Sequence, residues 1–225
     1  MNETPIIEVC DLWKTYCVGK EYLHALRGIS LSVLRGEFLV VSGPSGSGKS
    51  TLIHVLTGLT PPSSGSVTID GYHLDCLSYA ELTRFRKKKI GFVSQKSNLF
   101  STLSVEENIS LVTQPPKRTQ MPPPSIEQLL RNLGIANLLK REPSRLSRGQ
   151  RQLVAIARAI ANKPILLLAD EPTANLDRHS AVAVFDMLRD LNQRFKQTIL
   201  IITHDPDIAS YGGRKIELLD GQICN

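Results

Sequence analysis

Phe38-Leu39-Val40-Val41-Ser42-Gly43-Pro44-Ser45-Gly46-Ser47-Gly48-Lys49-Ser50-Thr51 sets the reading of the whole chain. Phe38–Val41 is a short unbroken apolar run, the pattern of a central strand buried on both faces. Gly43–Ser50 fits G-x-x-x-x-G-K-[ST], and Leu52, Val55, Leu56 and Leu59 follow at helical spacing. Strand, glycine-rich loop and helix in that order form a cradle whose backbone N–H groups face phosphate oxygens. Gly43, Pro44, Ser45, Gly46, Ser47 and Gly48 shape the wrap. Lys49 brings a point charge to the β- and γ-phosphates, Ser50 a hydroxyl for Mg²⁺, and Thr51 completes the nucleotide-binding set. The competing reading is an accidental match in a Gly/Ser-rich turn. Roughly one chain in a hundred of this length carries such a match at average residue usage, and the flanking strand and helix make it rarer. Nucleotide binding is expected.

A phosphate loop does not fix the reaction. The N-K-x-D run that a GTPase would use to read its base is absent, and a small-molecule kinase stays open at this point. Ile165-Leu166-Leu167-Leu168-Ala169-Asp170-Glu171 is an apolar strand ending in two carboxylates. Asp170 at the strand end would sit beside the loop and hold Mg²⁺, while Glu171 points elsewhere and can polarise a water for in-line attack. The alternative is an acidic cap at a helix N-terminus, since Pro172-Thr173 follow. A second carboxylate beside the metal-holding one favours hydrolysis over transfer to an acceptor. The reading is ATPase.

The chain has 225 residues and a formal net charge of +6, which suggests one large domain or one with a sizeable insertion. A chain of this size buries roughly 70–75% of its unfolded surface and needs no disulfide or metal staple. Hydrophobic residues at 41% and charged ones at 21% argue against general disorder. No run approaches the roughly 18 apolar residues of a membrane span, and Met1–Val9 does not read as a signal peptide. Cys10, Cys17, Cys76 and Cys224 are scattered and read as reduced thiols of a cytoplasmic protein. The charge leaves nucleic acid, acidic lipid and phosphate ligands open.

Ile6–Lys14 and Ala25–Leu34 read as strands, and Val67–Ile69 as a strand entering the Asp70-Gly71 turn. Ser78–Lys89 is polar and basic, Ile90–Val93 a short strand, and Ser104–Val112 and Ile126–Leu139 helical. The five prolines in Gln114–Ser125 exclude a helix interior. Ser147–Asn162 and Ser180–Phe195 are expected as helices, Ile165–Ala169 and Ile199–Ile202 as buried strands, Pro206–Tyr211 as a short helix, and Lys215–Ile223 as a hairpin around Asp220-Gly221. The fold class is α/β: a P-loop nucleotide-binding core with a mostly parallel sheet, an antiparallel N-terminal β region and an inserted helical subdomain. Residues 1–94 and 147–225 would form the core of this single domain and 95–146 the insertion.

Leu146-Ser147-Arg148-Gly149-Gln150 resembles the LSGGQ signature of the ATP-binding-cassette (ABC) ATPases, and stands shortly before the carboxylate-terminated strand as it does in that family. Gln95 resembles the Q-loop glutamine, Asn175-Leu176-Asp177 the D-loop, His204 the switch histidine and Tyr16 the A-loop aromatic. The resemblance runs from Ile6 to Ile223. It implies ATP and Mg²⁺ as cofactors, with Tyr16 stacking on adenine, Gln95 ligating Mg²⁺ or placing the water, and His204 holding the γ-phosphate. It also implies a head-to-tail homodimer, in which Ser147, Gly149, Gln150 and Asp177 meet the ATP held by the opposite subunit.

Three positions depart from the family pattern: Arg148 stands for the second signature glycine, Ala174 for a frequent glycine, and Ser101 for a frequent proline after the Q-loop. The Leu168–Asp177 run resembles the branch holding lipoprotein-releasing, macrolide-efflux, antimicrobial-peptide export and cell-division ATPases. Ala25–Ser30 and Ser104–Ile109 support that placement. The resemblance implies a peripheral subunit at the cytoplasmic face of the inner membrane, docked on separate transmembrane permease subunits near Asn98-Leu99-Phe100 and driving export or lipoprotein extraction. The alternative is a mechanotransmission ATPase of a cell-division-type complex that moves no substrate. The basic run Arg84–Lys89 reads as a solvated helix face near an anionic membrane, both it and Lys140–Arg151 lie in or beside the helical insertion where a membrane subunit would approach, and no specific nucleic-acid binding is expected.

Overall fold

In the computed structural model, which describes residues 4–113, 126–205 and 213–224, the most apolar runs become the centre of a six-stranded sheet. Chain order is β1 (Ile7–Val18), β2 (Glu21–Val33), β3 (Phe38–Ser42), α1 (Lys49–Leu56), β4 (Ser64–Ile69), β5 (Tyr72–His73), α2 (Tyr79–Lys89), β6 (Ile90–Val93), α3 (Val105–Ser110), α4 (Ile126–Asn132), α5 (Arg148–Ile160), β7 (Leu166–Asp170), α6 (Arg178–Phe195), β8 (Thr198–Thr203), β9 (Arg214–Leu219) and β10 (Gln222–Cys224). The larger sheet runs β10-β9-β3-β8-β7-β6 and is parallel except for β10.

The runs are unbroken because alternate residues enter two different cores. Val40, Leu167, Ala169, Ile199 and Ile201 pack with α5 and α6 on one face. Leu39, Val41, Leu166, Leu168, Leu200 and Ile202 pack with Leu52, Ile53, Val55 and Leu56 of α1 on the other. Each such side chain contributes about 1.5–3 kcal/mol of burial, so neither face tolerates a polar residue cheaply. The second core is closed by the antiparallel sheet β2-β1-β4-β5 through Ile7, Val9, Leu26, Ile29, Val67 and Ile69. Helix α1 therefore lies between two sheets, and the loop before it is pinned from both sides.

Several elements differ from the sequence expectation for identifiable reasons. β1 and β2 extend to Val18 and Glu21, because their outer ends pair while staying exposed and so show no alternation. Ser78–Lys89 is α2, started by a capping box in which Ser78 and Glu81 satisfy each other's backbone N–H. The helix expected over Ile126–Leu139 stops at Asn132, where Gly134 takes a left-handed φ of 71° and Ile135 N–H returns to Leu130 O at 2.9 Å. A 3-10 turn at Ala136–Leu138 then continues the chain. Gln114–Ser125 and Pro206–Tyr211 lie outside the described residues. No helix among those residues is long and apolar enough to cross a membrane.

Asp70 ties the antiparallel sheet to its surroundings. It follows β4 with φ 51°, and its carboxylate accepts hydrogen bonds from Lys89 Nζ at 2.9 Å and from the Arg35 guanidinium. Burial raises its pKa, but the hydrogen bonds and charges of Lys89 and Arg35 together outweigh burial and hold it below the usual carboxylate range. A lowered folded pKa adds stability that is fully present above the unfolded value and lost as pH falls through the folded one. Asp70→Asn keeps a side chain that tolerates this backbone and should cost about 1–2 kcal/mol at neutral pH. Thermal melts should show the gap to the parent protein closing in acid; a gap that ignores pH would count against the charge.

Candidate active site

The phosphate loop follows β3 and ends in α1. Its last residue, Gly48, has φ 103°, and a Cβ there would lie 2.3 Å from the Ala25 carbonyl, so only glycine fits. No side chain caps α1, which leaves the first-turn N–H groups free for an anion. The buried Lys49 folds back on its own loop, donating from Nζ to Gly43 O at 2.8 Å and Pro44 O at 2.7 Å. Desolvation lowers its pKa, while the nearby Glu171 and Asp170 charges pull it back up. This is a cation short of solvent, held by carbonyls that a phosphate can replace.

Asp170 closes β7, and its Oδ1 accepts from Ser50 Oγ at 3.4 Å. Burial raises its pKa first and the Glu171 charge second; His54, Ser50 and Lys49 oppose both. Glu171 leaves the strand direction with φ 46°, a left-handed conformation uncommon for such a residue. Its N–H is held by Ile202 O at 2.9 Å. That twist separates the two adjacent carboxylates: Asp170 faces Ser50, and Glu171 meets His204, whose Nδ1 lies 2.9 Å from Glu171 Oε1. His204 follows the central strand β8, so parallel pairing of β7 with β8 places acid and histidine side by side.

Tyr16 is half-buried on β1, paired with Leu23 of β2, with the Lys14 ammonium 5.1 Å from its ring centre. Gln95 is exposed just after β6. Its flanks are fixed by α5: Gln152 Nε2 donates to Ser94 O at 3.2 Å, and the Arg158 guanidinium donates to Ser97 O at 2.9 Å and Asn98 O at 2.8 Å. Asn108, fully buried, bonds both backbone groups of Phe100. Sequence reading assigned none of these three a role. A long polar side chain on the buried stripe of α5 was the available signal.

Ser147, Gly149, Gln150 and Asp177 form a second group. Ser147 caps α5 in a capping box with Gln150. Asp177 caps α6 by accepting from Ser180 N–H at 3.0 Å and Ser180 Oγ at 2.7 Å, and these bonds lower its pKa. Gly149 joins the caps, since a Cβ there would sit 2.6 Å from Ser180 Oγ. Among the described residues no hydrogen bond connects this group to the phosphate loop. Arg148 is exposed at the first position of α5, without ion pair or hydrogen bond among the described residues. Packing therefore requires the glycine at 149 and leaves 148 unconstrained. Ala174 has no positive φ, so glycine is not needed there either.

A mostly parallel sheet with this loop after one strand and a carboxylate ending its neighbour's neighbour defines a P-loop nucleoside triphosphatase. Within that class, a family model described as ABC transporter matches residues 26–174, and the chain belongs to that family of nucleotide-binding ATPases. The lipoprotein-releasing system ATP-binding protein LolD of Anaeromyxobacter dehalogenans is 41% identical over 98% of this chain and 93% of its own length. The bacitracin export ATP-binding protein BceA of Halalkalibacterium halodurans is 39% identical over 97% and 87%. The cassette MJ0796, from Methanocaldococcus jannaschii, has a solved dimeric post-hydrolysis structure bound to ADP and Pi; it superposes with a TM-score of 0.86 at 37% identity, covering 97% of each chain.

Two outcomes are expected. Asp170→Asn should raise the melting temperature of the nucleotide-free protein at neutral pH, by roughly 2–4 °C per kcal/mol relieved. A raised acid pKa stabilises the fold only below the unfolded value and loses that contribution as pH rises, so the gain should shrink in acid. Arg148→Gly should leave stability within ~0.5 kcal/mol, whereas Gly149→Ala should cost about 1–3 kcal/mol by overpacking. Equal losses in that pair would contradict the packing described.

Proposed function

We propose that the chain binds ATP on Gly43–Thr51 with adenine against Tyr16, and hydrolyses it with Glu171 as general base. The observation that carries this is the left-handed Glu171, turned away from Asp170 and bonded to His204 at 2.9 Å. In the reading, Lys49 exchanges its two carbonyls for phosphate oxygens, and Glu171 takes the proton of the attacking water. His204 Nδ1 holds the Glu171 carboxylate, and the histidine would hydrogen-bond the γ-phosphate. Ser50, Asp170 and Gln95 would hold Mg²⁺. Asp170 is the one carboxylate among the three, which fits an ion held by one or two carboxylates plus substrate phosphates. Mg²⁺ would neutralise charge on the β- and γ-oxygens.

Ser147, Gly149, Gln150 and Asp177 would complete the site of a second copy, which agrees with their gathering at the exposed N-termini of α5 and α6. The core would comprise 1–94 and 147–225, with 95–146 as the helical insertion. Relatives named for lipoprotein release and bacitracin export support a peripheral subunit at the cytoplasmic face of the inner membrane that drives separate permease subunits.

Glu171→Gln should cut turnover by about 10²- to 10⁴-fold while ATP stays bound, so that size-exclusion chromatography shows an ATP-dependent dimer. Lys49→Ala should instead weaken ATP binding itself. Turnover at the parent rate in Glu171→Gln would remove the glutamate from its assigned role.

A further inference from the structure

We propose that the Asp220-Gly221 turn is a positioning element that sets the separation between the adenine platform and the phosphate loop. The inference rests on the reading of Tyr16 and Gly43–Thr51 given above. Those two parts belong to different sheets: Tyr16 to the antiparallel one, the loop to the end of β3. Gly221 bonds to both. Its N–H donates to Ser47 O in the loop at 3.0 Å, and its carbonyl accepts from Arg27 N–H on β2 at 2.8 Å.

Sterics enforce the same joint. A Cβ on Gly221 would lie 2.8 Å from the Ala25 carbonyl, and one on Gly48 would meet that same oxygen at 2.3 Å. The Ala25 carbonyl is thus wedged between the phosphate loop and the C-terminal turn. From there the register leads to the platform, through Leu26 paired with Lys14 and Leu23 paired with Tyr16. The turn cannot drift relative to the loop, because β9 pairs with β3 at Val41–Ile216 and Ser42–Glu217. A displacement at Gly221 must therefore move β2, and with it Tyr16, against the loop.

The molecule contains its own control. Asp70-Gly71 is a second Asp-Gly turn with nearly the same backbone, φ 51° and 77° against 44° and 78° for Asp220-Gly221. Nothing lies within 4 Å of a Cβ on Gly71. Alanine at 71 adds backbone strain alone, whereas alanine at 221 adds the same strain plus a displacement of Ala25.

The test compares Gly221→Ala with Gly71→Ala in the full chain, using ATP and inorganic tripolyphosphate, which fills the loop but has no base. Gly221→Ala should raise the Kd and KM for ATP about 10-fold or more, with kcat and the tripolyphosphate Kd changed less than about twofold. Gly71→Ala should leave all four unchanged. Gly221→Asn, which tolerates a left-handed φ, keeps the displacement with less strain and should reproduce the ATP defect if the alanine variant folds poorly. Equal weakening of ATP and tripolyphosphate would mean that the turn only supports the loop, and overturns the proposal. So would an unchanged ATP affinity in both Gly221 variants while Tyr16→Ala weakens ATP. If Tyr16→Ala leaves ATP affinity intact, the platform reading itself falls and the joint with it.

Discussion

The rest of the structure is arranged around a buried ammonium group. Lys49 sits where solvent is scarce, held by two carbonyls of its own loop and by two carboxylates that are not hydrogen-bonded to it. A cation in that position is stable only if the loop backbone wraps around it and acids stand nearby. The wrap demands glycine where the loop meets Ala25. The acids demand a strand ending beside the loop, and the sheet order puts β8, followed by β7, next to β3. In the proposed reading, phosphate oxygens take the place of those internal carbonyls.

The two cores divide the consequences of that exchange. One holds α1 between the sheets, so the phosphate loop has almost no freedom. The other holds α5, α6 and the helical region through Leu130, Leu138, Leu146 and Val154. The groups proposed to act on ATP stem from the first or from the sheet itself. The groups proposed to meet a second copy stem from the second, at the exposed N-termini of α5 and α6. Rigidity and exposure are thus assigned to opposite faces of the same sheet.

Much of this was legible in the sequence because it depends on local chemistry. Glycines and a lysine at fixed spacing after an apolar strand leave few alternatives, and Asp170-Glu171 ends a run too apolar to be a surface strand. Three features were not legible. The left-handed backbone of Glu171 goes with a bond from its N–H to Ile202 O on a neighbouring strand, a pairing no local pattern encodes. The polar staples Gln152, Arg158 and Asn108 look like surface residues until the partner loops are folded against them. The stop at Gly134 was readable as a helix-ending glycine, but continuing leucine spacing through Leu138 masked it. What local pattern misses is pairing across distance, since only the assembled sheet brings those atoms together.

Arg158 gives α5 a second property. The helix has thirteen residues and is about 20 Å long at 1.5 Å per residue. Its first turn lies at the exposed signature end, and Arg158 near its last turn grips the carbonyls of Ser97 and Asn98. Its two ends thus reach different parts of the surface, Ser147 at one and the segment carrying Leu99 and the exposed Phe100 at the other. The buried Val154–Ile156 stretch anchors the helix between them, so these two surfaces are joined through a single element.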